Sequence, residues 1–349
     1  MNHLNLHQRL LHSKAAYTTR HINLSEAAGL ITTAEPRPGD LVLAEVRKIG
    51  HHKALELRDG RRSSLFIGDE IVVAYGHRYA PDQFEAEIRN HLDPCDLVAA
   101  GGIASNVLSR SVKTGIATRI APIGLLANRH GQVINVADVA LPPINAAKTA
   151  RVYAVIGSSM NAGKTTTAVS LIRGFIAAGY RVGSVKVTGT GAGGDMWRMM
   201  DAGARPALDF TSVGMVSTYK VERNQLLRAF STLTSHAMNS DIDILIIEVA
   251  DGIYQQETGL LLQSHEFRNL VDGVFYAARD AVGAKAGVDW LIQQQLRVIA
   301  LSGVVTMAPL AIQEATEAVG LMVLSPDQLM DPAILEDLTS SQFALAASL

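Results

Sequence analysis

A short loop between an apolar run and a helix-like segment constrains the fold of this chain more than any other feature. Residues 154–172 read AVIGSSMNAGKTTTAVSLI: β-prone residues lead into Gly157, and Gly163-Lys164-Thr165 opens the segment that follows. Backbone N–H groups at such a helix start can hold phosphate oxygens, the lysine can reach the outer phosphates, and the threonine hydroxyl can bind Mg²⁺. The stretch therefore predicts a phosphate-binding loop at the start of a βα unit.

The glycine of this loop lies seven residues before the lysine, whereas the general pattern places it six before, where this chain carries Ser158. The strand-like run before the loop and the helix-like run after it still favour a phosphate loop. We expect a bound nucleotide to contact the loop and the first helical turn through Gly157, Ser158, Ser159, Asn161, Ala162, Gly163, Lys164, Thr165 and Thr166.

Strand-like and helix-like segments alternate after Pro143. The predicted strands are 152–156, 182–187, 242–248, 271–276 and 297–301. The predicted helices are 164–178, 195–203, 222–237, 281–295 and 309–319. Such alternation is typical of a parallel sheet covered by helices. We therefore expect a mostly parallel α/β domain of the P-loop NTPase type over residues 150–349.

The pattern before Pro143 is different. Short alternating or β-branched runs such as LVLAEVRKIG and SSLFIGDEIVVAYG are separated by Gly, Asn and Asp-Gly. Their regular spacing predicts a small β-rich domain, a barrel or a sandwich, over 36–145. A helical or irregular lead is expected over 1–35, with Ser25 opening a short helix. Surface positions rather than metal ligation are expected for the histidines His3, His7, His12, His51 and His52.

Composition excludes several classes of protein. The chain has 349 residues and no uninterrupted apolar run long enough to span a membrane. Its first residues lack the apolar core and cleavage site of a secretory signal. A single cysteine, Cys95, rules out an intrachain disulfide and favours a reducing compartment. A formal charge of −2 without a long basic block gives no reason to expect nucleic acid. We expect a cytoplasmic protein without membrane or nucleic-acid partners.

Charged residues end two of the predicted strands. Lys186 closes the strand at 182–187, and Glu248 closes the apolar strand IDILIIE. Because ligands bind at the carboxyl ends of strands in open α/β sheets, we expect Lys186 to stabilise a transferring phosphate or a substrate anion. Glu248 is expected to anchor hydrated Mg²⁺, and Asp251, in Ala-Asp-Gly, to serve as a turn residue.

A second glycine-rich loop, TGTGAGG at 188–194, follows Lys186. Its glycines would let the backbone approach an anion or move on ligand binding, and a plain flexible connection is the alternative. Asp195 comes next and is expected to cap a helix, to join the Mg²⁺ shell, or to do both.

These motifs resemble those of known P-loop families. The loop from Gly157 to Lys164, followed by Lys186 and Glu248 at later strand ends, is similar to dethiobiotin synthetase, although this chain lacks the acid which that family usually carries at the places of Ser159 or Asn161. The segment GYRVGSVKVTGTGAGGDMWRMMDAGA resembles the GTP-binding accessory proteins of molybdopterin-guanine-dinucleotide biosynthesis. The segments DAGARPALDF and IIEVADGIYQQETGLLL resemble, more loosely, a P-loop family that includes D-glutamate N-acetyltransferases.

The resemblance also bears on the base of the nucleotide. GTP-specific relatives carry Asn-Lys-x-Asp after the strand that corresponds to 297–301, and this chain has LSGVVTMAP there. Thr306 stands near the place where dethiobiotin synthetases use an asparagine close to the adenine. The resemblance therefore favours ATP over GTP, and a relaxed choice of base, with GTP also bound, is the alternative.

Three functions follow as hypotheses. The first is an ATP-dependent enzyme that transfers a phosphoryl group to a small carboxylate or amine. Its catalytic residues would be Lys164, Lys186 and Glu248, and its Mg²⁺ ligands Thr165, Asp195 and Glu248. The second is a nucleotide-binding accessory or switch protein of cofactor biosynthesis. The third is an N-acyltransferase of the D-glutamate type whose loop holds acetyl-CoA. A homodimer is implied by resemblance alone.

Overall fold

The computed structural model describes residues 5–338, and these form two compact units. The first unit contains the described residues up to Pro142 together with Gly189–Gly194 and Phe210–Lys220. The second unit contains Pro143–Thr188, Asp195–Asp209 and the described residues from Val221 onward. Nothing in the sequence indicated that two segments beyond residue 188 belong with the first unit.

The first unit is built mainly from β-strands. It begins with helix α1 (Leu6–His12). Its strands are β1 (Lys14–Ala15), β2 (Ala27–Ile31), β3 (Leu41–Lys48), β4 (Ala54–Glu56), β5 (Arg62–Ser64), β6 (Glu70–Tyr75), β7 (Arg78–Tyr79), β8 (Phe84–Glu87), β9 (Cys95–Ala99), β10 (Ile103–Arg110) and β11 (Thr118–Asn128). The main sheet runs β1-β6-β3-β11-β9-β10-β8-β7, and β2 pairs with β11. Strands β6 and β10 also pair, so β6, β3, β11, β9 and β10 close into a ring. The predicted β-rich unit is therefore a barrel.

Strand β3 shows how this unit buries both faces of its sheet. Successive side chains of a strand point to opposite faces. Val42 and Ala44 accordingly enter one apolar cluster, while Leu41 and Leu43 enter another. The second cluster also receives Leu10 of α1. Burial on both faces explains why the first four residues of β3, Leu41–Ala44, are all apolar.

Two expectations for this unit are wrong. Ser25 does not open an α-helix: a 3₁₀ turn over Leu24–Glu26 leads directly into β2, which finds backbone partners on β11. His52 is buried rather than solvated, and a ring nitrogen lies 2.9 Å from the carbonyl oxygen of Val98. Burial, assisted by the positive charge of Arg78, lowers the pKa of His52 to about 3. His3 lies outside the described residues.

The second unit has the predicted α/β architecture. Its strands are β12 (Arg151–Gly157), β13 (Val182–Lys186), β14 (Ala207–Asp209), β15 (Ile244–Glu248), β16 (Gly273–Ala277) and β17 (Val298–Ser302). They form one parallel sheet in the order β14-β13-β15-β12-β16-β17. Its helices are α2 (Lys164–Ala177), α3 (Gly194–Asp201), α4 (Arg223–Met238), α5 (Gln256–Leu262), α6 (His265–Leu270), α7 (Ala281–Gln293), α8 (Pro309–Val319) and α9 (Pro326–Met330), and residues 332–338 are also helical. Strand β14, α5, α6 and α9 were not predicted.

The register of this sheet places the charged strand ends side by side. Every residue of β15 is buried, as expected for a strand covered on both faces. Lys186 at the end of β13 is paired with Glu248, and Glu248 is also paired with Val155 of β12. All strands run the same way, so their carboxyl ends lie at one edge of the sheet. Over residues 5–338, no helix has the length and apolarity needed to cross a membrane.

Candidate functional site

The phosphate loop connects β12 to α2 by a tight path. Gly163, the residue before α2, has a φ of 101°, which is open to glycine and unfavourable for other residues. A side chain at Gly157 would collide with the aliphatic part of Lys164, 2.8 Å away. The lysine stem therefore lies over the glycine, and its ammonium donates to the carbonyl of Ser159 at 2.8 Å. Gly163 stands where the general pattern requires glycine, and Gly157 stands one residue before the other glycine position of that pattern.

The start of α2 leaves backbone donors for a ligand. Thr167 is the first residue whose N–H bonds back along the helix, to the Gly163 carbonyl at 2.9 Å. The N–H groups of Lys164, Thr165 and Thr166 precede it and have no carbonyl within the helix to reach. Such a helix end attracts anions through these donors and through the helix dipole.

Two neighbouring turns pack closely against the loop. A side chain at Gly252 would lie 2.5 Å from the Ser158 carbonyl oxygen, and one at Gly163 would lie 2.8 Å from the Cα of Gly303. Thr306 follows in a 3₁₀ turn, where its hydroxyl donates to the Gly303 carbonyl at 2.7 Å. The structure thus places Thr306 next to the loop, and its contact with a base stays a prediction.

Four of the predicted residues meet beside the loop. The Thr165 hydroxyl lies 2.9 Å from Asp195 Oδ1 and 3.1 Å from Glu248 Oε1. The Lys186 ammonium forms an ion pair with the Asp195 carboxylate. Asp195 is the second residue of α3, so it is not the residue that precedes the helix, and its carboxylate faces the cluster. The hydroxyl and both carboxylates proposed for Mg²⁺ therefore lie together.

Burial and mutual charge set the protonation of this cluster. Burial would lower the pKa of Lys186, but the charges of Asp195 and Glu248 outweigh it and raise that pKa. For Asp195 the opposite holds: burial would raise its pKa, and the charge of Lys186 lowers it. Burial lowers the pKa of Lys164. Burial, followed by the charge of Asp195, raises the pKa of Glu248 to about 7. Glu248 is thus the group that changes its charge near neutral pH.

Glu248 also suggests that a cation completes the site. Its Oε2 atom is buried and makes no hydrogen bond within residues 5–338. Leaving a buried carboxylate oxygen unpaired is costly. In the described part of the chain, no group of three or more His, Cys, Asp or Glu side chains could hold a metal ion by itself. Two carboxylates and a hydroxyl, completed by phosphate oxygens and water, suit Mg²⁺. The residues present therefore fit a nucleotide-bound magnesium ion.

The second glycine-rich loop is not an open anion cradle. Gly191 N–H donates to the Val216 carbonyl at 2.8 Å, and Gly193 N–H donates to Glu56 Oε2 at 3.0 Å. A side chain at Gly101 would lie 2.1 Å from the Gly191 carbonyl oxygen. All these residues belong to the first unit. The loop uses its glycines for close packing, and both of these N–H groups are already occupied.

Two further residues that the sequence singled out, Asp251 and Cys95, have structural roles. Asp251 has a φ of 61° in a turn after β15, as a turn aspartate can. Cys95 is buried, and burial raises the pKa of its thiol to about 12, so it is a poor nucleophile.

Arg198 was not predicted from the sequence, and its Nη2 lies 3.4 Å from Thr166 Oγ1. Its position three residues after Asp195 was the available signal, because such residues share a helix face.

A protein-family comparison matches the part of the chain that holds this site. The family described as molybdopterin guanine dinucleotide synthesis protein B matches residues 152–256. That range contains the phosphate loop, Lys186, Asp195 and Glu248. A comparison of the sequence with curated proteins gives no match. The second unit thus has the loop and the fold of the P-loop NTPase superfamily.

Several crystal structures are similar to this chain. Signal recognition particle 54 kDa protein from Aeropyrum pernix K1, in complex with GDP, is 17% identical over 60% of this chain, with a TM-score of 0.36; the match spans only 53% of that protein's chain. A ParA family ATPase from Chlorobium tepidum TLS is 13% identical over 58% of this chain and 93% of its own, with a TM-score of 0.33. Cell division protein FtsY from Thermotoga maritima is 17% identical over 58% of this chain and 74% of its own, with a TM-score of 0.34.

Proposed function

We propose that this protein binds a magnesium nucleoside triphosphate, hydrolyses it slowly, and works as a nucleotide-dependent accessory protein of cofactor biosynthesis. The observation that carries the proposal is the Thr165 hydroxyl, which lies between the carboxylates of Asp195 and Glu248 beside the phosphate loop. The accessory role is supported by the family match over residues 152–256, which covers this cluster.

Each charged residue has a distinct part in this proposal. Lys164 exchanges the Ser159 carbonyl for phosphate oxygens, which are stronger acceptors for an ammonium group. Lys186, kept protonated by Asp195 and Glu248, stabilises negative charge on the phosphoryl oxygens. Thr165, Asp195 and Glu248 would hold Mg²⁺, which neutralises phosphate charge when it is bound. The ion would also be a partner for Glu248 Oε2, which makes no hydrogen bond within residues 5–338.

The second candidate is phosphoryl transfer to a small carboxylate or amine. It is favoured by the burial of Lys186 at the end of β13, where a charged group could meet a substrate anion as well as a phosphate. The two candidates differ only in the acceptor of the phosphoryl group, which is water in the first and a small molecule in the second.

Ligand-induced stabilisation tests the proposal. Thermal unfolding of the full chain would be recorded with ATP, GTP or acetyl-CoA, each with and without Mg²⁺. A ligand at about 100 times its dissociation constant adds about 2.7 kcal/mol to the free energy of unfolding. We expect a Mg²⁺-dependent shift with a triphosphate that Lys164→Ala abolishes. A shift with acetyl-CoA alone, or an equal shift in wild type and Lys164→Ala, would overturn the proposal.

Phosphate release then separates the two candidates. An accessory protein should release phosphate slowly, and small carboxylates and amines should leave the rate unchanged. A phosphoryl-transfer enzyme should instead consume triphosphate faster with one such compound and yield a phosphorylated product. The identity of the active triphosphate decides whether the expected preference for ATP holds.

A further inference from the structure

An arginine outside the predicted site faces the first turn of α2. Arg198 is exposed to solvent, and its Nη2 lies 3.4 Å from the hydroxyl of Thr166. Thr166 directly follows Thr165, so the guanidinium stands beside the helix end to which the phosphate loop leads. Neither the loop motif nor the strand-end pattern includes this residue.

Helix α3 carries two charged groups to the same place. Asp195 and Arg198 are three residues apart, so they are neighbours on one face of the helix. Asp195 reaches Thr165 at 2.9 Å, and Arg198 reaches Thr166 at 3.4 Å. One helix face thus carries both a carboxylate suited to the metal and a cation suited to a phosphate.

Two groups already interact with the guanidinium: the Thr166 hydroxyl, and the Asp195 carboxylate, whose pKa the charge of Arg198 helps to lower. A neutral hydroxyl at 3.4 Å is a weak acceptor, near the limit for a hydrogen bond. Ordering a long, exposed side chain costs conformational entropy that such a contact hardly offsets. A phosphate group offers a guanidinium two charged oxygens in matching geometry, which makes it a much stronger partner.

We propose that Arg198 binds a phosphate group of the nucleotide directly, as a phosphate-binding residue supplied by α3 of the same chain; this rests on the proposed function. The lysine of a phosphate loop serves the outer phosphates. Thr166 lies one residue deeper in α2 than Thr165, so Arg198 is assigned to a phosphate that nucleoside diphosphates and triphosphates share.

Titration calorimetry with the full chain tests the assignment. The magnesium complexes of ADP, ATP, GDP and GTP would be titrated into wild type, Arg198→Ala and Arg198→Lys. Arg173→Ala is the matched control, because Arg173 is an exposed arginine further along α2. We expect Arg198→Ala to bind diphosphate and triphosphate about tenfold or more weakly, by the same factor. Arg198→Lys should recover part of this loss, and Arg173→Ala should bind as wild type does.

Several outcomes would overturn the inference. If Arg198→Ala binds both nucleotides like Arg173→Ala, Arg198 does not bind phosphate. If Arg198→Ala loses affinity for the triphosphate only, the assignment to a shared phosphate is wrong. If wild type binds no nucleotide, the proposed function itself fails, and the role of Arg198 fails with it. Thermal unfolding without ligand should be the same for Arg198→Ala and wild type, because the side chain is exposed; a lower melting temperature would show a structural role instead.

Discussion

The two glycine-rich loops of this protein look alike in sequence and serve opposite purposes. Each follows a buried parallel strand, and each leads into a helix. The first, residues 157–163, ends at the first turn of α2, where the N–H groups before Thr167 have no carbonyl within the helix to reach, and Lys164 donates to the Ser159 carbonyl. In the second, residues 188–194, the N–H groups of Gly191 and Gly193 are bound to Val216 and Glu56. The first loop is open to a ligand, and the second is tied to its own unit.

The carboxylates beside the two loops differ in the same way. One buried oxygen of Glu248 has no hydrogen-bond partner in the part of the chain that the structure describes, and the pKa of Glu248 is raised to about 7. Glu56 is also buried, and its Oε2 accepts the Gly193 N–H at 3.0 Å. Glycine content alone therefore does not identify a ligand site. What identifies it is whether the donors and acceptors around the loop are already satisfied.

The largest expected effect concerns Glu248, which lies beside the first loop. It tests whether the buried carboxylate of Glu248 lacks a partner when no ligand is bound. Folded protein keeps Glu248 protonated up to about pH 7, while the unfolded chain releases that proton near 4.5. Because the pKa of Glu248 is higher in the folded protein than in the unfolded chain, the protonated carboxyl stabilises the folded protein at low pH. This stabilisation is lost as the pH rises through 7. Between pH 4.5 and 8 the free energy of unfolding of wild type should therefore fall relative to Glu248→Gln, by up to about 3 kcal/mol.

Chemical denaturation of both proteins in EDTA, at several pH values, measures this difference. Addition of Mg²⁺ and nucleotide should remove much of it, because the ligand would stabilise the charged carboxylate. A difference between the two proteins that does not vary with pH would mean that Glu248 keeps an ordinary pKa.

The next effect concerns packing in the second loop. Alanine at Gly191 would place its Cβ 2.6 Å from the Val216 carbonyl oxygen and 2.8 Å from Thr18, so the backbone must move. We expect Gly191→Ala to lower the free energy of unfolding by about 1–3 kcal/mol. Gly194→Ala is the control from the same loop, because no atom of the described residues beyond its chain neighbours lies within 4 Å of a Cβ there. Equal stability of the two variants in denaturant titrations would show that the second loop is as open as the first.

The smallest effect concerns the hydrogen bond between Glu56 and the second loop. Glu56→Gln keeps an acceptor for the Gly193 N–H but removes its charge, which should cost about 1 kcal/mol. Hydrogen exchange at the amides of residues 189–194 should become faster, and exchange in α2 should stay the same. Unchanged exchange at Gly193 would contradict the idea that this carboxylate holds the loop.

The α/β architecture and most residues of the candidate site could be predicted from the sequence alone. Strands and helices of the second unit could be predicted because each depends on local periodicity and on the turns that flank it. Lys186, Asp195 and Glu248 could be predicted to meet because parallel strands bring their carboxyl ends, and the loops that follow them, to one edge. The residues of a phosphate loop are close neighbours in sequence, so their spacing is enough to predict that they bind phosphate.

Which polar groups have hydrogen-bond partners depends on the tertiary structure. Closure of the barrel by β6 and β10, the burial of His52, and the bond from Gly193 to Glu56 all join residues far apart in the chain. No local pattern encodes such pairings, because they depend on how separate elements pack. The raised pKa of Glu248 and the approach of Arg198 to Thr166 arise in the same way. The two glycine-rich loops have similar compositions. Long-range packing gives N–H groups of the second loop hydrogen-bond partners and leaves the start of α2, after the first loop, available to a ligand.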